Sequence, residues 1–284
     1  MSQTMAKSAA GPAGHRPRKR FGQHFLIDPG MVAKIIALAA LQPGETVFEI
    51  GPGRGILTAA LLAAETRVVA VETDRDLAAF LKERFQAEIA AGRLILHDGD
   101  VLKLDLEQAL AGRTPAAVVA NIPYQITTPL LFRLIEYRRL FSRAVLMMQE
   151  EVARRLLAAP GSRDYGRLGI GIGIFADCRS GFAVAPGAFR PPPKVDSRVL
   201  RLDFLNAPRW PLRDPDLFSR LLQALFSQRR KQIINPLKGL RPGRSREELA
   251  AFLAAAGFEP SCRPAELTPR ELVRLANLLA AAEE

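Results

Sequence analysis

Cysteine is nearly missing from this 284-residue sequence: only Cys178 and Cys262 are present, far apart and in different predicted elements. Two such residues exclude a disulfide framework and a cysteine-based metal centre, and they read as buried thiols in a reducing compartment. No metal is expected. Long apolar runs are missing too, since none approaches the roughly 18 residues of a membrane span. No membrane partner is therefore expected. The basic residues near the start are not followed by an apolar segment, which argues against a secretory signal and for a cytoplasmic location. No internal repeat is visible. What is present is ordinary for a globular protein, with 48% apolar and 24% charged residues. The length suits one large domain and a smaller one.

Acids are the scarcer charge, and the places that lack them are informative. The formal net charge is +11; residues 1–20 hold five Lys/Arg and no acid, and residues 206–284 hold 13 Lys/Arg against 9 Asp/Glu. The long stretch between them is close to neutral. Basic ends on a neutral body suit a catalytic domain that grips a polyanion at its margins. From Arg229 to Arg246 there are seven basic residues and no acid. A solvated helix face usually interleaves acids at i,i+4 spacing. Arg229, Arg230 and Lys231 are therefore candidate contacts to the phosphates of a polyanion.

Residues 1–17 are rich in Gly, Ala, Pro and Ser without periodicity, and are predicted to be a disordered basic tail. Asp28 as N-cap and Pro29 at the first helical position open a helix to Ala40. Apolar strands and amphipathic helices then alternate, predicting a mostly parallel sheet with helices on both faces, an α/β Rossmann-like domain. Strands that end in a polar residue place Glu49, Glu72, Asp100 and Asn121 around one crevice. Leu168 to Cys178 and Phe182 to Val184 read as strand, and Ser197 to Phe204 as the last strand. A proline-rich linker, Leu205 to Pro215, leads into helices opened by capping boxes at Ser245 and Thr268. The expected domains are thus 18–205 and a helical 206–284.

The organising stretch is Glu49-Ile50-Gly51-Pro52-Gly53-Arg54-Gly55, a strand end that breaks into three alternating glycines before a helix. The dinucleotide fingerprint wants Gly or Ala where Ile56 stands, and no Lys-Ser/Thr pair closes a P-loop. The remaining pattern, E-x-G-x-G-x-G, resembles the S-adenosylmethionine (SAM) loop of Rossmann-like methyltransferases. Glu72, at the end of the next strand, can accept from both ribose hydroxyls of a nucleoside, in SAM or NAD alike. Asp100 suits an adenine amino group or is simply a surface acid. The loop Asn121-Ile122-Pro123-Tyr124 suits a target base. An amide and a backbone carbonyl can accept both protons of an exocyclic amine and aim its lone pair, while Tyr124 offers a stacking face.

Seven segments occur in order: Arg20-Phe21-Gly22-Gln23-His24-Phe25-Leu26, the glycine loop, Asn121-Ile122-Pro123-Tyr124, Gln149-Glu150-Glu151-Val152-Ala153, Tyr165-Gly166-Arg167-Leu168, Phe189-Arg190-Pro191-Pro192-Pro193-Lys194-Val195-Asp196-Ser197 and Gln228-Arg229-Arg230-Lys231. Together they resemble the KsgA family of small-subunit ribosomal RNA adenine N6,N6-dimethyltransferases. The resemblance implies a seven-stranded methyltransferase domain and a helical domain that docks RNA. It also implies a SAM site of His24, Leu26, Gly51, Glu72, Asp100 and Asn121, with Asn121 and Tyr124 as catalytic residues. The implied substrate is small-subunit rRNA within a pre-assembled subunit, met by a monomeric enzyme. Two positions depart from the family: His24 stands where Asn is frequent, and Gly169 where Ser is common. Related large-subunit rRNA methyltransferases and a non-catalytic assembly factor are the alternatives.

Overall fold

A computed structural model describes residues 23–282; the expected tail over 1–17 and the cations Arg18, Lys19 and Arg20 lie outside the described residues. The described residues form two compact units, one of 23–153 with Ala176–Asn206, the other of Arg154–Phe175 with 207–282.

The first unit is built on a seven-stranded sheet of order β4-β3-β2-β5-β6-β9-β7. Its members are β2 (Thr46–Ile50), β3 (Arg67–Glu72), β4 (Leu94–Asp98), β5 (Ala116–Asn121), β6 (Phe141–Gln149), β7 (Ala176–Val184) and β9 (Ser197–Phe204). Neighbours from β4 to β6 run parallel, and β9 runs antiparallel to both β6 and β7. The parallel strands are mostly apolar because helices cover both faces, so regular period-2 alternation is absent. The covering helices are α1 (Pro29–Ala39), α2 (Ile56–Ala63), α3 (Arg75–Arg84), α4 (Gln86–Ala90), α5 (Leu106–Leu110) and α6 (Thr127–Glu136). Asp28 caps α1 by accepting from the Gly30 and Met31 amides, and Asp74 caps α3 through the Asp76 amide. A two-residue ribbon lies apart from the sheet: β1 (Phe25–Leu26) pairs antiparallel with β8 (Phe189–Arg190). Strand order reverses on either side of β2, so a crevice opens at the carboxyl ends of β2 and β5.

From β6 the chain runs into α7 (Glu150–Leu157). The second unit holds α8 (Arg167–Gly173), α9 (Pro215–Ser227), α10 (Ile234–Leu240), α11 (Arg246–Ala255) and α12 (Pro269–Ala281). Both expected capping boxes form, Ser245 with Glu248 and Thr268 with Glu271. Its core gathers Leu217, Leu221 and Leu225 of α9 with Leu272, Leu275 and Leu279 of α12.

The strand expected over Leu168 to Cys178 is not observed as such; α8 occupies its first half and β7 starts at Ala176. Leu168, Ile170 and Ile172 are all buried, so α8 is covered on more than one side and its sequence shows no helical period. A Cβ on Gly169 would stand 2.5 Å from the Arg155 carbonyl oxygen. The close approach of α8 to that backbone is therefore open to glycine and closed to a residue with a side chain unless the backbone shifts.

Candidate active site

The glycine loop turns from β2 into α2 with Gly51, Gly53 and Gly55 all at positive φ (65°, 58° and 78°). These positions serve different purposes. A Cβ at Gly55 would lie 2.6 Å from the Phe85 ring and 2.9 Å from Leu81, so this glycine lets the loop sit against α3. At Gly51 nothing lies nearer than Pro123 Cδ at 3.9 Å, so its bare backbone faces open space. That space is a cavity of about 220 Å³, walled by His24, Gly51, Glu72, Asp100, Asn121 and Tyr124 with Val71, Leu77, Val101, Ile122 and Ile126.

Two acids supply its charge. Glu72 ends β3 and is only 4% exposed; its carboxylate accepts from the Gly53 amide (3.0 Å) and the Asp74 amide (2.9 Å). Burial raises its pKa, and those amides work against the rise. Asp100 follows β4 and accepts from the Leu102 amide at 2.9 Å. Among the described residues no Lys or Arg lines the cavity. SAM carries a sulfonium and an ammonium against one carboxylate, and its net positive charge suits the two acids. The site therefore fits SAM.

Asn121 closes β5, and its side-chain Nδ2 donates to the His24 carbonyl at 3.0 Å. A carbonyl can only accept, so this bond fixes which way the amide points and leaves Oδ1 as the uncommitted acceptor. Tyr124 opens a 3₁₀ turn (Tyr124–Ile126) and its ring stacks on His24, with centroids 5.6 Å apart and planes at 29°. The Tyr124 phenol lies 2.8 Å from Ser197 Oγ; burial raises its pKa and the Ser197 bond opposes this. His24 Nδ1 donates to the Pro191 carbonyl at 2.8 Å. Gln23 also lines the cavity and donates to Asp74 at 3.0 Å.

Two of the side chains expected at the crevice lie elsewhere. Leu26 does not line the cavity; its side chain is buried in the core with Val32, Ile35 and Phe189. Glu49 is not on the crevice wall either. Successive strand residues face opposite sides, and Glu49 is buried at 1% exposure beside Thr58. Burial pushes its pKa up to about 8; the Glu72 charge adds to this and the Thr58 hydroxyl opposes it. Arg229, Arg230 and Lys231 sit on the turn after α9, not on a helix face. Arg229 is engaged, donating to the Arg163 carbonyl and to the Ser162 carbonyl (2.6 Å). Arg230 and Lys231 are exposed.

Sequence reasoning missed Ser197 as a partner of Tyr124 and Val101 as a wall residue. Val101 was legible as the residue after Asp100. Ser197 is 73 positions from Tyr124, and no local pattern joins them. Among the described residues no three His, Cys, Asp or Glu side chains converge as metal ligands would, and no helix is long and apolar enough to cross a membrane.

Residues 14–259 match the family model described as ribosomal RNA adenine dimethylase. A ribosomal RNA small subunit methyltransferase A from Syntrophotalea carbinolica is 44% identical over 265 residues, spanning 93% of this chain and 97% of that protein. Among solved structures, a dimethyladenosine transferase from Plasmodium falciparum is 29% identical with a TM-score of 0.75, covering 92% of this chain and 98% of that one. The 23S rRNA methyltransferase ErmE is 27% identical with a TM-score of 0.64, covering 90% and 99%.

Proposed function

The chain belongs to the ribosomal RNA adenine dimethylase family, and we propose that it transfers methyl groups from SAM to N6 of two adjacent adenosines near the 3′ end of small-subunit (16S) rRNA. Bound SAM supplies an electrophilic methyl group on a sulfonium sulfur. The protein's task is to hold the poor amine nucleophile in line with it, because positioning provides most of the acceleration. The observation that carries this reading is the bond from Asn121 Nδ2 to the His24 carbonyl. With the amide so held, Oδ1 accepts one N6 proton of the target adenine. A backbone carbonyl of the Asn121-to-Tyr124 loop accepts the other N6 proton. Tyr124 stacks on the base, and Glu72 accepts from the ribose hydroxyls of SAM. His24, Gly51 and Asp100 complete the SAM contacts, and any share of Leu26 passes through its main chain.

The second unit, with Arg230 and Lys231 exposed on its surface, is the docking surface for rRNA already assembled into the small subunit. The enzyme meets it as a monomer in the cytoplasm. The fold alone does not separate this activity from that of large-subunit enzymes, since ErmE shares it. The 44% identity to a small-subunit methyltransferase over nearly the whole chain favours the small subunit. Asn121→Ala tests the site: single-turnover methyl transfer should fall at least about a hundredfold with subunit binding retained. A near-normal rate would show that something else holds the base.

A further inference from the structure

The segment from Phe189 to Ser197 touches the site at three points. Phe189 and Arg190 pair with Leu26 and Phe25. The Pro191 carbonyl accepts from His24 Nδ1 at 2.8 Å. At the far end, Ser197 Oγ lies 2.8 Å from the Tyr124 hydroxyl. One strap thus fixes both members of the His24–Tyr124 stack, each from a different end. The two ends of the Tyr124 bond are unequal. Ser197 is 0% exposed, opens β9, and is in register with Gln149 on one side and Val184 on the other. Tyr124 is half-buried in a three-residue 3₁₀ turn. A ring on such a turn has rotamer freedom that a tether to a sheet-anchored hydroxyl removes.

We propose that Ser197 is a positioning residue for methyl transfer, its hydroxyl tethering the Tyr124 phenol so that the ring is held at the angle at which the target base stacks. The inference rests on the reading of Tyr124 as the base-stacking ring. Ser197 itself touches neither substrate nor cofactor; its effect passes through one hydrogen bond.

The test compares Ser197→Ala, Tyr124→Phe, their double variant and Tyr124→Ala in methyl transfer to unmethylated small subunits. SAM affinity is followed by calorimetry and tyrosine Cζ resonances by NMR. The sequence has three tyrosines, so loss of one signal in Tyr124→Phe assigns it. Ser197→Ala should lower turnover at saturating subunits about fivefold, equivalent to about 1 kcal/mol, with SAM affinity unchanged. Tyr124→Phe should lose a similar factor, and the double variant no more than either, because both remove the same bond. The Tyr124 signal should move in Ser197→Ala while those of Tyr137 and Tyr165 stay. Wild-type turnover in Ser197→Ala beside an inactive Tyr124→Ala overturns the role of Ser197 and leaves that of Tyr124 standing. Full turnover in Tyr124→Ala overturns both. Losses that multiply in the double variant mean that Ser197 acts on the fold at large, which also overturns the proposal. Should Ser197→Ala fail to fold, Tyr124→Phe breaks the bond from its other end, and unchanged turnover there is enough to reject the tether.

Discussion

Glu49 is buried close enough to Glu72 to feel its charge, yet the two have opposite tasks. Glu72 faces the cavity and is kept useful as an acceptor by the Gly53 and Asp74 amides. Glu72→Ala should weaken SAM binding about tenfold to a hundredfold, the cost of losing a buried charged acceptor of about 1–3 kcal/mol. Calorimetry showing equal affinity would contradict its place at the ribose. Glu49, with its pKa raised from 4.5 to about 8, holds a proton in the folded protein that the unfolded chain releases above pH 4.5. Stability therefore falls as pH rises from about 4.5 to about 8 and levels off above that. Glu49→Gln keeps the shape without the titration. Its stability relative to wild type should grow across that window by a few kcal/mol at most, while Glu72, raised for the same reason, keeps part of the slope. Denaturation midpoints at pH 5, 7 and 9 check this, and parallel profiles would count against it.

At the scale of elements, the glycine loop separates packing from binding. Gly55→Ala forces a Cβ into Phe85 and Leu81 at positive φ and should cost about 2–4 kcal/mol of stability. Gly51→Ala meets no atom nearer than 3.9 Å, so strain at its φ of 65° costs only about 1–2 kcal/mol; its larger effect should fall on SAM affinity. Thermal unfolding with and without SAM distinguishes the two, and an equal pattern in both variants would refute the division. The strand–loop–helix order around these glycines was legible because local rules govern it: apolar runs, Asp caps and alternating glycines all lie within a few residues. The same locality explains the misreadings. Helix α8 looked like a strand because burial on several sides erases its period, whereas the resemblance that points to Leu26 locates a position, not a side-chain direction. The β1–β8 ribbon and the Ser197–Tyr124 bond join residues scores of positions apart, and no window of sequence contains them.

For the molecule as a whole, charge placement is the main guide, and the structure sorts the cations by task. Arg229 spends its guanidinium on the Ser162 and Arg163 carbonyls, Arg246 bonds Asn235 and Gln232, and Arg244 pairs with Glu248 at 3.8 Å. Arg230 and Lys231 are exposed on the same turn as Arg229. Changing these two to Ala should weaken small-subunit binding and reduce the slope of log affinity against log salt by up to about two units, with SAM affinity unchanged. Arg229→Ala should instead lower stability by about 1–2 kcal/mol and leave the salt slope nearly intact. A change of slope in Arg229→Ala alone would reverse this assignment. The central claim concerns the whole enzyme, and one measurement addresses it directly. The protein is incubated with methyl-labelled SAM and unmethylated small subunits, large subunits or free rRNA, followed by mass analysis of the RNA fragments. The account predicts two adjacent N6,N6-dimethyladenosines near the 3′ end of the small-subunit rRNA and no label in large subunits. Label confined to large subunits, or none in any RNA from protein that binds SAM, would contradict it.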